Sequence, residues 1–325
     1  MSSAVLSTFW GQRVQMDGYI LLPPSYYREP QKTYPVLYWI EGFDGNGAVD
    51  SDDNRGFEGA ISALHSEFVI VSLDGMFNGG HQVFADSPNN GPWGEALTTE
   101  FIPLTEKEFR GDGTRFVAGH SSGGWSAMWL QITYPDLFAG EWSLSPDPLD
   151  FRDFMGPDIT QTPPQNFFTD RHGKDYDLDG QPLRSFVRDP WWGKRQYDSF
   201  ESVFSPAGPN DKPLQLFDRK TGLINPAVQS YWNEHWNIAA LVQRQWPALG
   251  PKLAHKLHVI VGTGDTFGLD RPVRLFQKDL DALPNSDAEF DYVPGADHWG
   301  VFKWKGNAFA YILGEAKALL TAPAH

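Results

Sequence analysis

Gly119-His120-Ser121-Ser122-Gly123 stands directly after the apolar run Arg115-Phe116-Val117-Ala118 and directly before a stretch, Ser122 to Thr133, with helical character. That placement decides the fold. A serine with glycines two before and two after it fits a sharp strand-to-helix turn, where the backbone is strained and the helix must pass close to the strand. Its hydroxyl would sit at a helix N-terminus, where the peptide dipoles favour developing negative charge. A glycine-rich turn that merely begins a helix has the same five letters. Strand, turn and helix together make Ser121 the candidate nucleophile, and Ser122, which lacks the glycine frame, is expected to give its backbone N–H.

Working outward, strands are expected over Arg13 to Leu22, Tyr34 to Ile40, Phe68 to Leu73, Ala139 to Leu144, His258 to Val261 and Glu289 to Val293. Several are short, continuous apolar runs, the mark of parallel strands buried on both faces. Helices are expected from Gly94 to Phe109, with Leu97, Phe101, Leu104 and Phe109 near helical spacing, around Pro272 to Leu283, and at the alanine-rich C-terminal end. A longer one is expected from Ala227 to Trp246, with Tyr231, Trp232 and Trp236 on one face. Alternating strand and helix implies a doubly wound, mostly parallel sheet. With the nucleophile on a strand-to-helix turn, the expected fold is that of the α/β hydrolases. The core is expected over 1–145 and 227–325. Residues 146–226 break the pattern, rich in proline, glycine and aspartate with scattered aromatics such as Trp191, Trp192 and Phe200, and are expected to form an inserted cap.

In that fold the chain order is serine, acid, histidine. After an acid on a late strand, only His298 and the terminal His325 remain, and a chain end cannot hold an imidazole to hydrogen-bond tolerance. His298 is therefore the expected general base. Asp265 follows the His258 to Val261 run across Gly262-Thr263-Gly264, where a carboxylate can orient the ring. Asp270 and Asp147 also follow strands and stay open as alternatives. Attack on an ester makes an oxyanion that needs a second N–H beside that of Ser122. Glu41-Gly42-Phe43-Asp44-Gly45, after the Tyr34 to Ile40 strand, would give it from Phe43, Gly42 allowing close approach.

The 325 residues, 41% hydrophobic and 14% aromatic, suffice to bury a large α/β core. A formal net charge of −15 argues against nucleic-acid or anionic-membrane partners and favours neutral or cationic substrates, although it also keeps a protein soluble. Cysteine is absent, which excludes disulfides and thiolate chemistry. No apolar run approaches a membrane span and no signal peptide is visible, so a soluble, cytoplasmic protein is favoured. A homo-oligomer is left open. Asp175-Tyr176-Asp177-Leu178-Asp179-Gly180 begins like a calcium loop, but Phe186 stands where the bidentate glutamate belongs, and a hairpin turn at Asp179-Gly180 fits better. Asp50-Ser51-Asp52-Asp53-Asn54 reads as a solvated loop. No metal or organic cofactor is required.

With these residues in place, the chain resembles the esterase D-like family of α/β hydrolases, which includes feruloyl and acetyl-xylan esterases, S-formylglutathione hydrolases, enterochelin esterases and mycolyltransferases. The resemblance rests on Gly91-Pro92-Trp93-Gly94-Glu95 with its helix, Gly119-His120-Ser121-Ser122-Gly123-Gly124, and His298-Trp299 with Trp304. It implies ester hydrolysis through an acyl-enzyme on a small-molecule or carbohydrate-linked ester, with Glu41, Trp93 and Trp299 near the substrate cleft. Two departures leave the ester undefined. Glu41 replaces a histidine common in the family, and the segment after Ser145-Pro146-Asp147-Pro148 is longer than usual. Acyl transfer to an alcohol, and a non-catalytic binding protein on the same scaffold, are the alternatives.

Overall fold

The computed structural model describes residues 1–45, 47, 52–209 and 212–321, the side chains of 52–54 excepted. Residues 50 and 51 and the side chains of 52–54 from the acidic run, and His325, lie outside the described residues. Seven strands form the central sheet: β1 (Gly18–Leu21), β2 (Tyr34–Ile40), β3 (Val69–Leu73), β4 (Gly111–His120), β5 (Glu141–Leu144), β6 (Leu257–Gly262) and β7 (Glu289–Val293). Their order is β7-β6-β5-β4-β2-β3-β1, parallel throughout except that β1 runs antiparallel to β3. This is the doubly wound α/β-hydrolase architecture.

The helices used below are α1 (Asp52–Leu64), α2 (Ile102–Phe109), α3 (Ser122–Thr133), α4 (Leu183–Arg188), α5 (Gly193–Phe204), α6 (Pro226–His235), α7 (Ile238–Leu253), α8 (Asp270–Asp281) and α9 (Ala308–Thr321). Successive side chains of a strand point to opposite faces, so a strand covered on both sides is apolar at every position. In β2, Tyr38 and Ile40 pack with Phe101 and Leu130, whereas Leu37 and Trp39 pack with Phe57 of α1 and Phe309 and Ile312 of α9. Two cores thus sandwich one sheet.

Three expected elements differ. Arg13 to Leu22 is not one strand: Val14–Gln15 pairs with Ser2–Ser3, and only Gly18–Leu21 joins the main sheet, where Gly18 lets the chain approach the Ser72 carbonyl. The helix ending at Phe109 contains a π-turn, Leu97–Phe101. Its wider winding rotates the face that follows, so Ile102 and Thr105 are buried and Leu104 is 44% exposed. The helix expected over Ala227 to Trp246 is broken into α6 and α7 by Asn237, whose extended backbone and side-chain oxygen begin α7.

Residues 146–226 bury more than their weak periodicity suggests. Phe151, Phe154, Phe167, Tyr197, Phe204 and Phe217 join one core with Trp232, and the Phe167 and Phe217 rings stack at 3.7 Å. The aspartates and asparagines that obscure the pattern are turn formers: Asp158, Asn166, Asp170 and Asp218 accept nearby backbone N–H groups. Asp179-Gly180, both at positive φ, turns a hairpin between Asp177–Leu178 and Gln181–Pro182. No helix among the described residues is long and apolar enough to cross a membrane.

Candidate active site

Ser121, Glu41, Phe43, Asp147, Asp265 and His298 follow the carboxyl ends of the parallel strands, where open α/β sheets form their crevices. β4 ends at His120 and α3 begins at Ser122, leaving Ser121 alone at φ 59°, ψ −121°. A non-glycine residue in that region persists only where its surroundings over-determine it. Here the Ser121 N–H donates to Leu144 O at 2.9 Å, and its carbonyl accepts from Trp125 at 3.0 Å and Asp147 at 3.1 Å. The glycine frame is needed for close approach. A Cβ on Gly123 would lie 2.0 Å from Ile40 O, and one on Gly119 would lie 2.3 Å from Gly123 O.

The loop after β2 lies against this turn, since Ile40 is the register partner of Gly119. A Cβ on Gly42 would meet Ser121 Cβ at 2.9 Å. His81 braces the loop: its Nδ1 accepts from Val83 at 3.0 Å, which fixes Nε2 as the donor to Glu41 O, also at 3.0 Å. Burial pushes this imidazole down to about 4, so it stays neutral. Among the described residues no acceptor within the chain engages the backbone N–H of Phe43 or of Ser122.

His298 reaches the same place from the loop after β7. Its carbonyl accepts from His120 Nε2 at 2.9 Å, which ties the loop to the residue before Ser121. Burial, followed by the neighbouring His298, pushes His120 down to about 3, so it too remains a neutral donor. His298 Nδ1 donates to Asp265 Oδ2 at 2.9 Å, with both side chains buried. Burial alone would raise the Asp265 carboxyl. The His298 hydrogen bond and the N–H groups of Phe267 and Leu269 outweigh it and hold the group below its ordinary value.

Neither of the other two acids hydrogen-bonds to His298 among the described residues. Asp270 begins α8 and pairs with Arg274 at 3.3 Å. Asp147 accepts from Ser122 Oγ at 2.5 Å, Gln196 Nε2 donates to that oxygen at 3.2 Å, and burial pushes the Asp147 carboxyl up to about 6. Sequence reasoning did not foresee this Gln196-Ser122-Asp147 chain, because Gln196 stands in α5 with no motif around it.

Ser121, His298, Glu41, Phe43 and Trp299 line one cleft of about 490 Å³, together with Asp147 and with Met155, Phe186, Trp192 and Gln196 from the 146–226 segment. Trp93 is a correction. It is 2% exposed, packs on Phe77, donates from Nε1 to Asn90 O at 2.7 Å and does not line the cleft. Phe267 and Phe302, which do line it, were not singled out from the sequence.

The family described as "Putative esterase" matches residues 13–303. The chain belongs to that family. Membership makes it a serine carboxylic-ester hydrolase. No curated protein matches the chain. Among solved structures it is similar to a ferulic acid esterase, with TM-score 0.60, 17% identity and coverage of 98% of this chain and 96% of that one. It is also similar to an S-formylglutathione hydrolase from Agrobacterium tumefaciens, with TM-score 0.58, 16% identity and coverage of 98% and 94%. A third is the fluorophosphonate-binding serine hydrolase F (FphF) of Staphylococcus aureus, with TM-score 0.55, 13% identity and coverage of 99% and 97%. At these identities the likeness to solved structures is one of fold.

Proposed function

We propose that Ser121, His298 and Asp265 form the catalytic triad of this esterase and that the reaction passes through an acyl-enzyme on Ser121. His298 Nε2, the ring nitrogen not engaged by Asp265, takes the proton of Ser121 Oγ as the oxygen attacks the ester carbonyl. The N–H groups of Phe43 and Ser122 stabilise the resulting oxyanion. His298 then gives its proton to the departing alkoxide. In the second half the same ring activates water against the acyl-enzyme, releasing the acid and restoring Ser121. Asp265 holds the ring in one tautomer and offsets the imidazolium charge.

The observation that carries this reading is a strained Ser121 opening on the same cleft as an imidazole whose Nδ1 is held by a buried carboxylate. We read residues 146–226 as a cap, because Met155, Phe186, Trp192 and Gln196 help to line the cleft. Six aromatic rings, Phe43, Phe186, Trp192, Phe267, Trp299 and Phe302, suit an aryl or carbohydrate-linked ester, and the volume lies in the usual range for small-molecule sites. Ser121→Ala should lower kcat/KM on 4-nitrophenyl butyrate by at least about 10⁴-fold while the fold is kept. Retention of a tenth or more of the wild-type rate would remove the proposal.

A further inference from the structure

Buried carboxylates in folded proteins are normally paired with a cation. In this chain Asp150 pairs with Arg152, Glu201 with Arg219 at 2.8 Å and Asp265 with His298. Among the described residues Glu141, Glu41 and Asp147 have no such cation: Glu141 is enclosed in the sheet, where Ser143 Oγ and His258 N donate to it, which leaves Glu41 and Asp147. Both are 6% exposed, both line the cleft, and among the described residues neither forms an ion pair. Glu41 Oε2 accepts the Gly47 N–H at 3.0 Å, but its Oε1 is buried with no hydrogen-bond partner. Asp147 is satisfied only in part, by the Ser122 hydroxyl.

The rest of the lining sharpens the contrast, for among the described residues it contains no lysine or arginine. Arg195, 5.3 Å from the Phe43 ring, is held by Asp44 at 2.7 Å and does not line the cleft. The same cleft is lined by the rings of Phe43, Trp192, Phe267, Trp299 and Phe302, with Phe43 and Trp192 centred 6.3 Å apart. Aromatic faces attract cations, more strongly where water is excluded, and an aromatic cage with a nearby carboxylate is a recurring receptor for quaternary ammonium. A chain of net charge −15 would also draw a cation toward it.

Resting on the esterase reading above, we infer that this cleft selects esters bearing a cationic ammonium group, held between the aromatic walls and the carboxylates of Glu41 and Asp147. The ammonium is carried on the acyl or the alcohol side, and two matched pairs separate these sources. On the alcohol side, butyrylcholine is compared with 3,3-dimethylbutyl butyrate. On the acyl side, the 4-nitrophenyl ester of 4-(trimethylammonio)butanoate is compared with that of 5,5-dimethylhexanoate. Each pair differs by one charge at nearly constant shape.

The wild-type enzyme should prefer the cationic member of at least one pair by about tenfold or more in kcat/KM. Glu41→Gln should bring that ratio toward one, and raised salt should reduce it in the wild type. Equal rates for both members of both pairs, or preference for the neutral ones, would overturn the inference while leaving ester hydrolysis standing. Loss of turnover on every ester, neutral ones included, would instead overturn the esterase reading. The wild-type ratios decide the matter even if Glu41→Gln does not fold.

Discussion

A hydrogen bond 2.9 Å long separates Asp265 from the two other acids that chain order allows, because only Asp265 reaches His298 Nδ1. Removing its charge while keeping its shape lets the imidazole take the wrong tautomer, which disables the base without disturbing the packing. Asp265→Asn should therefore lower kcat by about 10³ to 10⁴-fold on 4-nitrophenyl butyrate, whereas Asp147→Asn should lower it by less than about tenfold. Equal losses in the two variants would reverse their roles. The settings of Ser121 and His298, a strand-to-helix turn and the loop after β7, were legible because a five-residue frame and an order of residues along the chain restrict them. Asp265 came first among three aspartates that follow strand ends, but the sequence alone does not tell which of them meets a ring nitrogen. Trp93 misled for a related reason. An indole fits a core as well as a cleft, and here its N–H finds Asn90 O in the interior.

Among the elements, β2, α3 and β7 have the limits expected from the sequence, because each is a run of one periodicity bounded by turn residues. Where a local device interrupts the winding, periodicity misleads. The π-turn at Leu97–Phe101 rotates the apolar stripe of α2, and Asn237 ends one helix and starts another inside a stretch that looks continuous. Asn237 Oδ1 accepts from Ala240 N and Phe151 N, each at 3.5 Å, and Asn237 Nδ2 donates to Asn233 Oδ1 at 3.1 Å. It thus joins α7 to the 146–226 segment, some of whose side chains line the cleft. Asn237→Ala should lower unfolding stability by about 1 to 2 kcal/mol, read from the urea midpoint at unchanged m. No change in midpoint would show that the Asn237 side chain contributes nothing to stability. The 146–226 segment was the least legible part of the chain, since its core is built from irregular turns whose aspartates and asparagines satisfy the backbone in place of helix or sheet.

For the whole molecule, buried titratable groups give stability a dependence on pH whose direction follows from their surroundings. Burial pushes the Glu141 carboxyl in the sheet up to about 8 from an ordinary 4.5, against hydrogen bonds from Ser143 Oγ and His258 N. Between these values the unfolded chain has lost a proton that the folded chain keeps, so stability falls as pH rises, by at most about 1.4 kcal/mol per pH unit. His81 and His120, pushed down to about 4 and about 3, act in the opposite direction. Below 6.5 the unfolded chain takes up protons that the folded chain refuses, and stability falls as pH drops. Urea unfolding from pH 7 to 8, above the histidine range, gives the glutamate the larger share. Wild-type stability should decline across that window and Glu141→Gln should flatten the decline, whereas an identical slope in the variant would place its origin elsewhere. The architecture and the place of Ser121 on a strand-to-helix turn were both readable from five residues in their setting, while the cleft was not, because it draws on segments distant in sequence. The most direct measurement on the intact protein is the mass after reaction with a fluorophosphonate, followed by peptide mapping. The proposed triad should take one phosphonyl group, on Ser121, absent in Ser121→Ala and slowed at least about 10³-fold in His298→Ala. A label on any other residue, or labelling of Ser121→Ala at the wild-type rate, would contradict it.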